Sequence, residues 1–165
     1  MHLFKPRKPN TDAVFLQYGD MLYRVALTHL GNDADAQDAV QDVFVKYITA
    51  QPVFESSEHE KAWFLRTTIN RCHDMTRRNK VLAFSPIDDA FNIAAESQEG
   101  LHDLLSMIAQ LPPIYKDAVV LHSLEGFSVE ETAEILEISL SAAKMRLSRA
   151  REILQILRKE SDDVY

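Results

Sequence analysis

Residues 128–159, SVEETAEILEISLSAAKMRLSRAREILQILRK, decide the fold. Ser128 and Glu131 form a Ser-x-x-Glu pair ahead of an apolar run, the signature of a capped helix start. That helix is short, ending by Leu136, and a break at Glu137-Ile138 separates it from a second start capped by Ser139. In the second helix Leu140, Ala143, Leu147, Ala150, Leu154 and Leu157 fall three and four apart, a one-sided seam that must face the protein. Opposite the seam stand Ser141, Lys144, Met145, Ser148 and Arg149, flanked by Arg146 and Arg151. A short capped helix, a tight break and a basic helix have the spacing of a helix-turn-helix. The outward face suits the major groove, where Arg or Lys reads guanine while other cations hold phosphates.

Working outward, Leu101, Leu104, Leu105 and Ile108 mark a short helix that Leu111-Pro112-Pro113 breaks. A helix over 113–124 follows and ends at Gly126, a natural residue just past a helix end. Three longer helices precede these. The first, 12–30, carries Phe15, Tyr18, Leu22, Val25 and Ala26 at helical spacing and stops at Gly31. The second, 34–50, is capped by Asn32 or Asp33. Its stripe is Ala36, Ala39, Val40, Val43, Phe44, Tyr47 and Ile48, with Gln37, Asp38, Gln41 and Asp42 on the opposite face. After the loop PVFESSE comes a third helix, 58–79, with Ser57 and Glu60 as its capping box and Leu65, Ile69, Cys72 and Met75 or Thr76 inside; Trp63, near its start, is expected in the core. The expected fold is all-α: two small helical domains, 1–80 and 101–165, joined by a flexible acidic linker, 81–100. That linker holds Asp88, Asp89, Glu96 and Glu99 and no basic residue.

The net charge of −7 argues against nucleic-acid binding on average, but the charge is segregated. Residues 66–80 carry five basic and one acidic side chain, and residues 139–159 carry six and one. Residues 81–138 hold eleven acidic groups and a single lysine, Lys116. Two basic patches on an acidic body suit a protein that meets DNA twice and a protein partner elsewhere.

No apolar run approaches the roughly 18 residues of a membrane span. The basic start, MHLFKPRKPN, lacks the apolar stretch of a signal peptide, so a cytoplasmic location and no membrane insertion are expected. The one cysteine, Cys72, falls on an apolar stripe and reads as core. His2, His29, His59, His73, His102 and His122 are scattered without ligand spacing, and neither a phosphate loop nor a nucleophile elbow occurs. No metal site, no cofactor and no catalysis are expected.

Three segments resemble one family, in order along the chain. Residues 111–154 resemble region 4 of the extracytoplasmic-function (ECF) sigma factors. DADAQDAVQDVFVKY, 33–47, resembles their region 2.2, and FESSEHEKAWFLRTTINRCHDMTRR, 54–78, their regions 2.3 and 2.4. The resemblance implies a three-helix region 2 domain, a helix-turn-helix region 4 domain, and three partners: core RNA polymerase, promoter DNA and an anti-sigma factor. Gln37, Asp38, Gln41 and Asp42 match the face that grips the clamp helices of the polymerase β′ subunit, and region 4 would meet the flap of β. Phe54, Glu58, His59, Arg66, Asn70, Arg71, Arg77 and Arg78 match the part that opens the −10 element, with Phe54 and Asn70 at its base pocket and the arginines along the backbone. Ser141, Lys144, Met145, Arg146, Ser148, Arg149 and Arg151 match the reader of the −35 element. Ser141-Ala142-Ala143 replaces the usual Gly-Thr-Val, Met145 replaces a small polar residue, and Glu137 sits where glycine is common. In the family the linker threads through the polymerase between the domains. The competing expectations are a stand-alone helix-turn-helix regulator, which would bind its duplex without polymerase, and a helical adaptor that never touches DNA. With only ESDDVY after Lys159, control is expected to come from another protein or from expression.

Overall fold

The computed structural model describes residues 10–79 and 99–163, and contains helices, turns and loops with no strand among them. Helix α1, Thr11–Leu30, begins where the Asn10 side chain accepts from the Ala13 N–H, and it ends at Gly31 with φ 77°. Only a residue without Cβ takes that left-handed conformation at no cost, so the glycine sets the sharp exit. Helix α2, Asp33–Ala50, is capped by Asn32 rather than Asp33, and Pro52 bars its continuation after Gln51.

Helix α3, Ser57–Asn79, corrects the expected capping box. The helix starts one residue early, and Ser56 Oγ, not Ser57, accepts from the His59 N–H at 3.1 Å. This register moves Glu60 out of the box position, and its carboxylate instead accepts the Tyr18 hydroxyl at 2.8 Å. Burial first, then Glu60, pushes the Tyr18 hydroxyl above its ordinary pKa.

These three helices close around Phe64, which is fully buried. Its ring lies 5.0–5.4 Å from those of Tyr18, Phe44, Tyr47 and Trp63. Trp63 packs on this core as expected. Two stripe positions do not: Phe15 and Ile48 are 52% and 47% exposed, and Val14 takes the inward place at the start of α1. Phe15 still leans on Phe44, ring centres 5.1 Å apart.

The second module starts with α4, Glu99–Ala109, so the expected linker loses its last two residues to a helix. Its residues 81–98, including three of its four carboxylates, lie outside the described residues. Helix α5, Pro113–Val119, runs into a wide π-helical turn, Val120–Leu124, which replaces the second half of the expected 113–124 helix. Glu125 N–H reaches back to the Val120 carbonyl at 3.0 Å, and Gly126, at φ 79°, frees the chain to turn. Helix α6, Val129–Leu136, and α7, Leu140–Asp162, follow the expected break, with α7 running three residues past 159. Ala143, Leu147 and Ala150 are buried, while Leu140 is 39% exposed, so the seam starts one turn late.

The two modules pack on each other. Helix α3 meets α6, and α1 meets α4 and the π-helical turn. The Phe64→Ala protein should lose about 3–5 kcal/mol, the usual result of emptying a filled aromatic site. Urea unfolding followed by circular dichroism checks this; a loss below about 1 kcal/mol would show that the site collapses around the void.

Candidate nucleic-acid interface

The α6–α7 unit is held by reciprocal caps. Ser128 Oγ accepts from Glu131 N–H at 3.0 Å, and the Glu131 carboxylate accepts from Ser128 N–H at 3.0 Å. The Ser128 backbone and hydroxyl donors hold the Glu131 carboxyl below its ordinary pKa. At the turn, Glu137 adopts φ 56°, ψ 42°, a left-handed conformation that costs a non-glycine residue about 1–2 kcal/mol. Ile138 N–H, bonded to the Ala133 carbonyl at 3.0 Å, closes the turn, and Ser139 Oγ caps α7 through Ala142 N–H at 3.1 Å.

These caps aim one face of α7 outward. Ser141, Lys144, Met145, Ser148, Arg149 and Arg151 are exposed there, and Arg146 is half-buried at its edge. Met145 is 56% exposed and puts an apolar tip among the cations of this face. None of the four cations forms an ion pair with a described residue. This is a free cationic helix face of a size that enters a major groove.

In the first module Gln37, Asp38, Gln41 and Asp42 line the exposed face of α2. Val45, 60% exposed one turn beyond Gln41, adds an apolar side chain to this face that the sequence reading missed; its signal was its place off the buried stripe. Across the N-terminal end of α3, the Phe54 ring meets His59 and Trp63 edge-on, centres 5.5 and 5.8 Å away. His59 Nδ1 accepts the Glu55 N–H at 3.2 Å and steadies the loop, while Glu58 points to solvent. Asn70 and Arg78 are exposed further along α3, and Arg77 pairs with Asp74.

Two further arginines expected to track DNA are also engaged. Arg71 Nε donates to Asp42 at 2.7 Å, joining the α3 and α2 surfaces. Arg66 crosses to the other module: Nε donates to the Ile135 carbonyl at 2.9 Å and Nη2 to the Glu134 carbonyl at 3.3 Å, with Glu137 beside Nη1 at 3.3 Å. A cation at the last carbonyls of a helix is favourable in both hydrogen bonding and dipole terms. Arg66 therefore acts as the C-terminal cap of α6.

A cluster absent from the sequence reading lies at the same interface. His29 Nε2 of α1 and His73 Nε2 of α3 approach one oxygen of Asp117 on α5, at 2.7 and 3.0 Å. Burial pushes the Asp117 carboxyl up, but the hydrogen bonds to both rings and their charge outweigh it and hold the group below the ordinary carboxylate range. The three residues stand 88 and 44 positions apart, so no local spacing could reveal them. Arg24 and Glu125 add a bidentate pair at 3.0 and 3.1 Å.

The succession of a three-helix module and a helix-turn-helix module matches known families. Residues 14–81 match Sigma-70 region 2, and residues 101–154 match Sigma-70, region 4. The chain is 30% identical over 157 residues to the ECF RNA polymerase sigma factor SigE of Mycolicibacterium smegmatis, covering 89% of this chain and 61% of that longer one. It is 32% identical over 136 residues to the RNA polymerase sigma factor SigZ of Bacillus subtilis, covering 79% and 77%. Among solved structures, the sigma factor RpoE of Bartonella quintana, crystallised with the anti-sigma factor NepR, superposes with a TM-score of 0.70 at 26% identity, covering 90% of this chain and 96% of that one. Fold and surfaces together define a sigma-70-type protein with regions 2 and 4 in series. Within that class, the chain belongs to the ECF RNA polymerase sigma factors.

Removing the Arg66 cap should loosen the contact between modules. The Arg66→Ala protein is expected to show a longer mean distance between fluorophores placed on α2 and α7, with unchanged helix content. An unchanged distance would mean that the other interface contacts suffice.

Proposed function

We propose that this chain binds core RNA polymerase, directs it to specific promoters and promotes strand opening there, acting by binding and not by catalysis. The observation that carries the reading is the α7 face, cationic and unpaired, set at helix-turn-helix geometry behind a capped α6. Lys144 and Arg149 would reach base edges of the −35 element, with Ser141 and Ser148 as smaller donors. Met145 would touch a thymine methyl, which shifts the sequence read toward apolar contact. Arg146 and Arg151 would hold phosphates.

In the first module, the polar α2 face with Gln37, Asp38, Gln41 and Asp42 would bind the clamp helices of β′, and region 4 the flap of β. Phe54, half-buried against Trp63, would swing to stack on an unpaired base of the −10 element beside Asn70, Glu58 and His59. Such stacking is worth about 1–3 kcal/mol, enough to offset much of the cost of extruding the base. Arg71, Arg77 and Arg78 would follow the backbone, and Arg66 would join them once it leaves α6. The domain division would be 1–80 and 99–165, with the acidic segment between them threading the polymerase. Its carboxylates would occupy a basic channel, and neutralising them should weaken core binding or alter release of early transcripts.

No helix among the described residues is long and apolar enough to cross a membrane, which fits work on DNA in the cytoplasm. Because RpoE is held by NepR, an anti-sigma factor that covers these same surfaces is the expected partner in the inactive state. A stand-alone regulator would have no use for the α2 surface, and a pure adaptor none for Lys144 and Arg149.

Run-off transcription with core polymerase over a library of promoter fragments tests the reading. Lys144→Ala and Arg149→Ala should each cost about 1–3 kcal/mol in promoter binding if the side chain reads a base. Where it holds a phosphate, the slope of log affinity against log salt should instead fall by about one. No transcript from any fragment, or full activity in both variants, would defeat the reading.

A further inference from the structure

We propose that His29, His73 and Asp117 form a binding site for a single divalent transition-metal ion that clasps the two modules together. The donors come from three helices, two in the first module and one in the second. Their ligating atoms lie within 4.8 Å of one another.

The hydrogen bonding of His29 points to a cation. Its Nδ1 lies 2.8 Å from the Val25 carbonyl, and a carbonyl can only accept, so Nδ1 carries the proton. In the neutral ring Nε2 then presents a bare lone pair, yet it faces a carboxylate oxygen at 2.7 Å. The two side chains are only 3% and 5% exposed, so water cannot relieve that opposition. Something positive must stand between them, either a second ring proton or a metal ion. A backbone carbonyl holding the far N–H is the usual support for a metal-ligating imidazole.

The second histidine favours the metal. His73 Nε2 turns to the same Asp117 oxygen at 3.0 Å, so one oxygen faces two ring nitrogens. Zinc-type bonds of about 2.0–2.1 Å place neighbouring donors roughly 3–3.4 Å apart, and reaching that needs shifts of only tenths of an ångström. A cavity of about 380 Å³, lined by His29, His73, Asn70 and Lys116 among others, leaves room for a water or further ligand. Two imidazoles and a carboxylate select zinc, cobalt, nickel or copper over calcium or magnesium. Cys72, next to His73 in sequence, is turned into the core, and burial pushes its thiol up to about 12, so it is not a ligand. Lys116 borders the cavity and opposes a dication, while Arg77 there is paired with Asp74, and this makes the site weaker than a closed structural zinc centre.

A bound ion would tie α5 to α1 and α3 and hold Arg66 on α6. That consequence rests on the proposed promoter-binding role of Arg66; the metal site itself does not. The test uses the full chain, stripped with a chelator and titrated with cobalt(II) chloride, reading visible absorption, with small-angle scattering before and after addition of zinc. One equivalent of cobalt with a tetrahedral or five-coordinate spectrum is expected, together with a smaller radius of gyration in zinc. His73→Ala, at a half-buried position that should not disturb folding, and the near-isosteric Asp117→Asn should each weaken cobalt binding by about tenfold or more. Absence of binding, wild-type affinity in both variants, or compaction that follows acidification and ignores zinc would overturn the proposal; the last result would identify an imidazolium–carboxylate pair. Run-off activity is scored separately, so a chain that transcribes without binding cobalt refutes the site alone, and one that binds cobalt without transcribing refutes the function alone.

Discussion

Asp117 is a carboxylate at 5% side-chain exposure whose hydrogen-bond partners among the described residues both come from the other half of the chain. A charge buried this deeply and left alone would cost several kcal/mol, so its presence inside the second module makes sense only when α1 and α3 are alongside. The neighbouring Arg24–Glu125 pair, with its arginine 58% exposed, contributes about 0–1 kcal/mol and could not set the arrangement by itself. Arg66 works in the same sense as Asp117, from the opposite side: a cation of the first module completes the end of a helix in the second. Each module holds a group whose partner the other supplies.

This exchange has a functional cost. In the packed arrangement Arg66 is occupied by α6, while within the first module Arg71 is held by Asp42 and Arg77 by Asp74, so three of the four arginines proposed for promoter backbone are satisfied internally. The α7 face and most of the α2 face remain free. On the proposed function, contact with polymerase through α2 would come first and the release of Arg66 to DNA would follow. For that release, polymerase would have to favour a separated form by more than the interface contacts favour the packed one, since a partner shifts such an equilibrium only by its differential affinity.

Local chemistry was legible in the sequence wherever it acts over three or four residues. The Ser128–Glu131 box, the Ser139 cap, the Gly31 and Gly126 exits and the outward face of α7 all follow from residue type and spacing. Where two readings of similar local strength competed, the tertiary setting decided. Ser56 won over Ser57 because Glu60 is drawn to Tyr18, and Val14 over Phe15 because it stands four residues before the buried Tyr18, on the same helix face. The π-helical turn left no periodic trace, since one extra residue in a turn merely looks like a slightly displaced stripe. The His29–His73–Asp117 cluster and the Arg66 cap were not legible at all. They depend on how two modules dock, and docking is written in surfaces rather than in spacing.

The central claim is that two helical modules grip a duplex at separate points only when a polymerase holds them apart. The most direct measurement follows the distance between fluorophores on α2 and α7 while a promoter duplex is titrated, with and without core RNA polymerase. Short distance and no specific duplex binding are expected for the free chain, and a long distance with promoter-specific binding once core enzyme is added. Tight, sequence-specific binding by the free chain at unchanged distance, or no response to core enzyme, would contradict it.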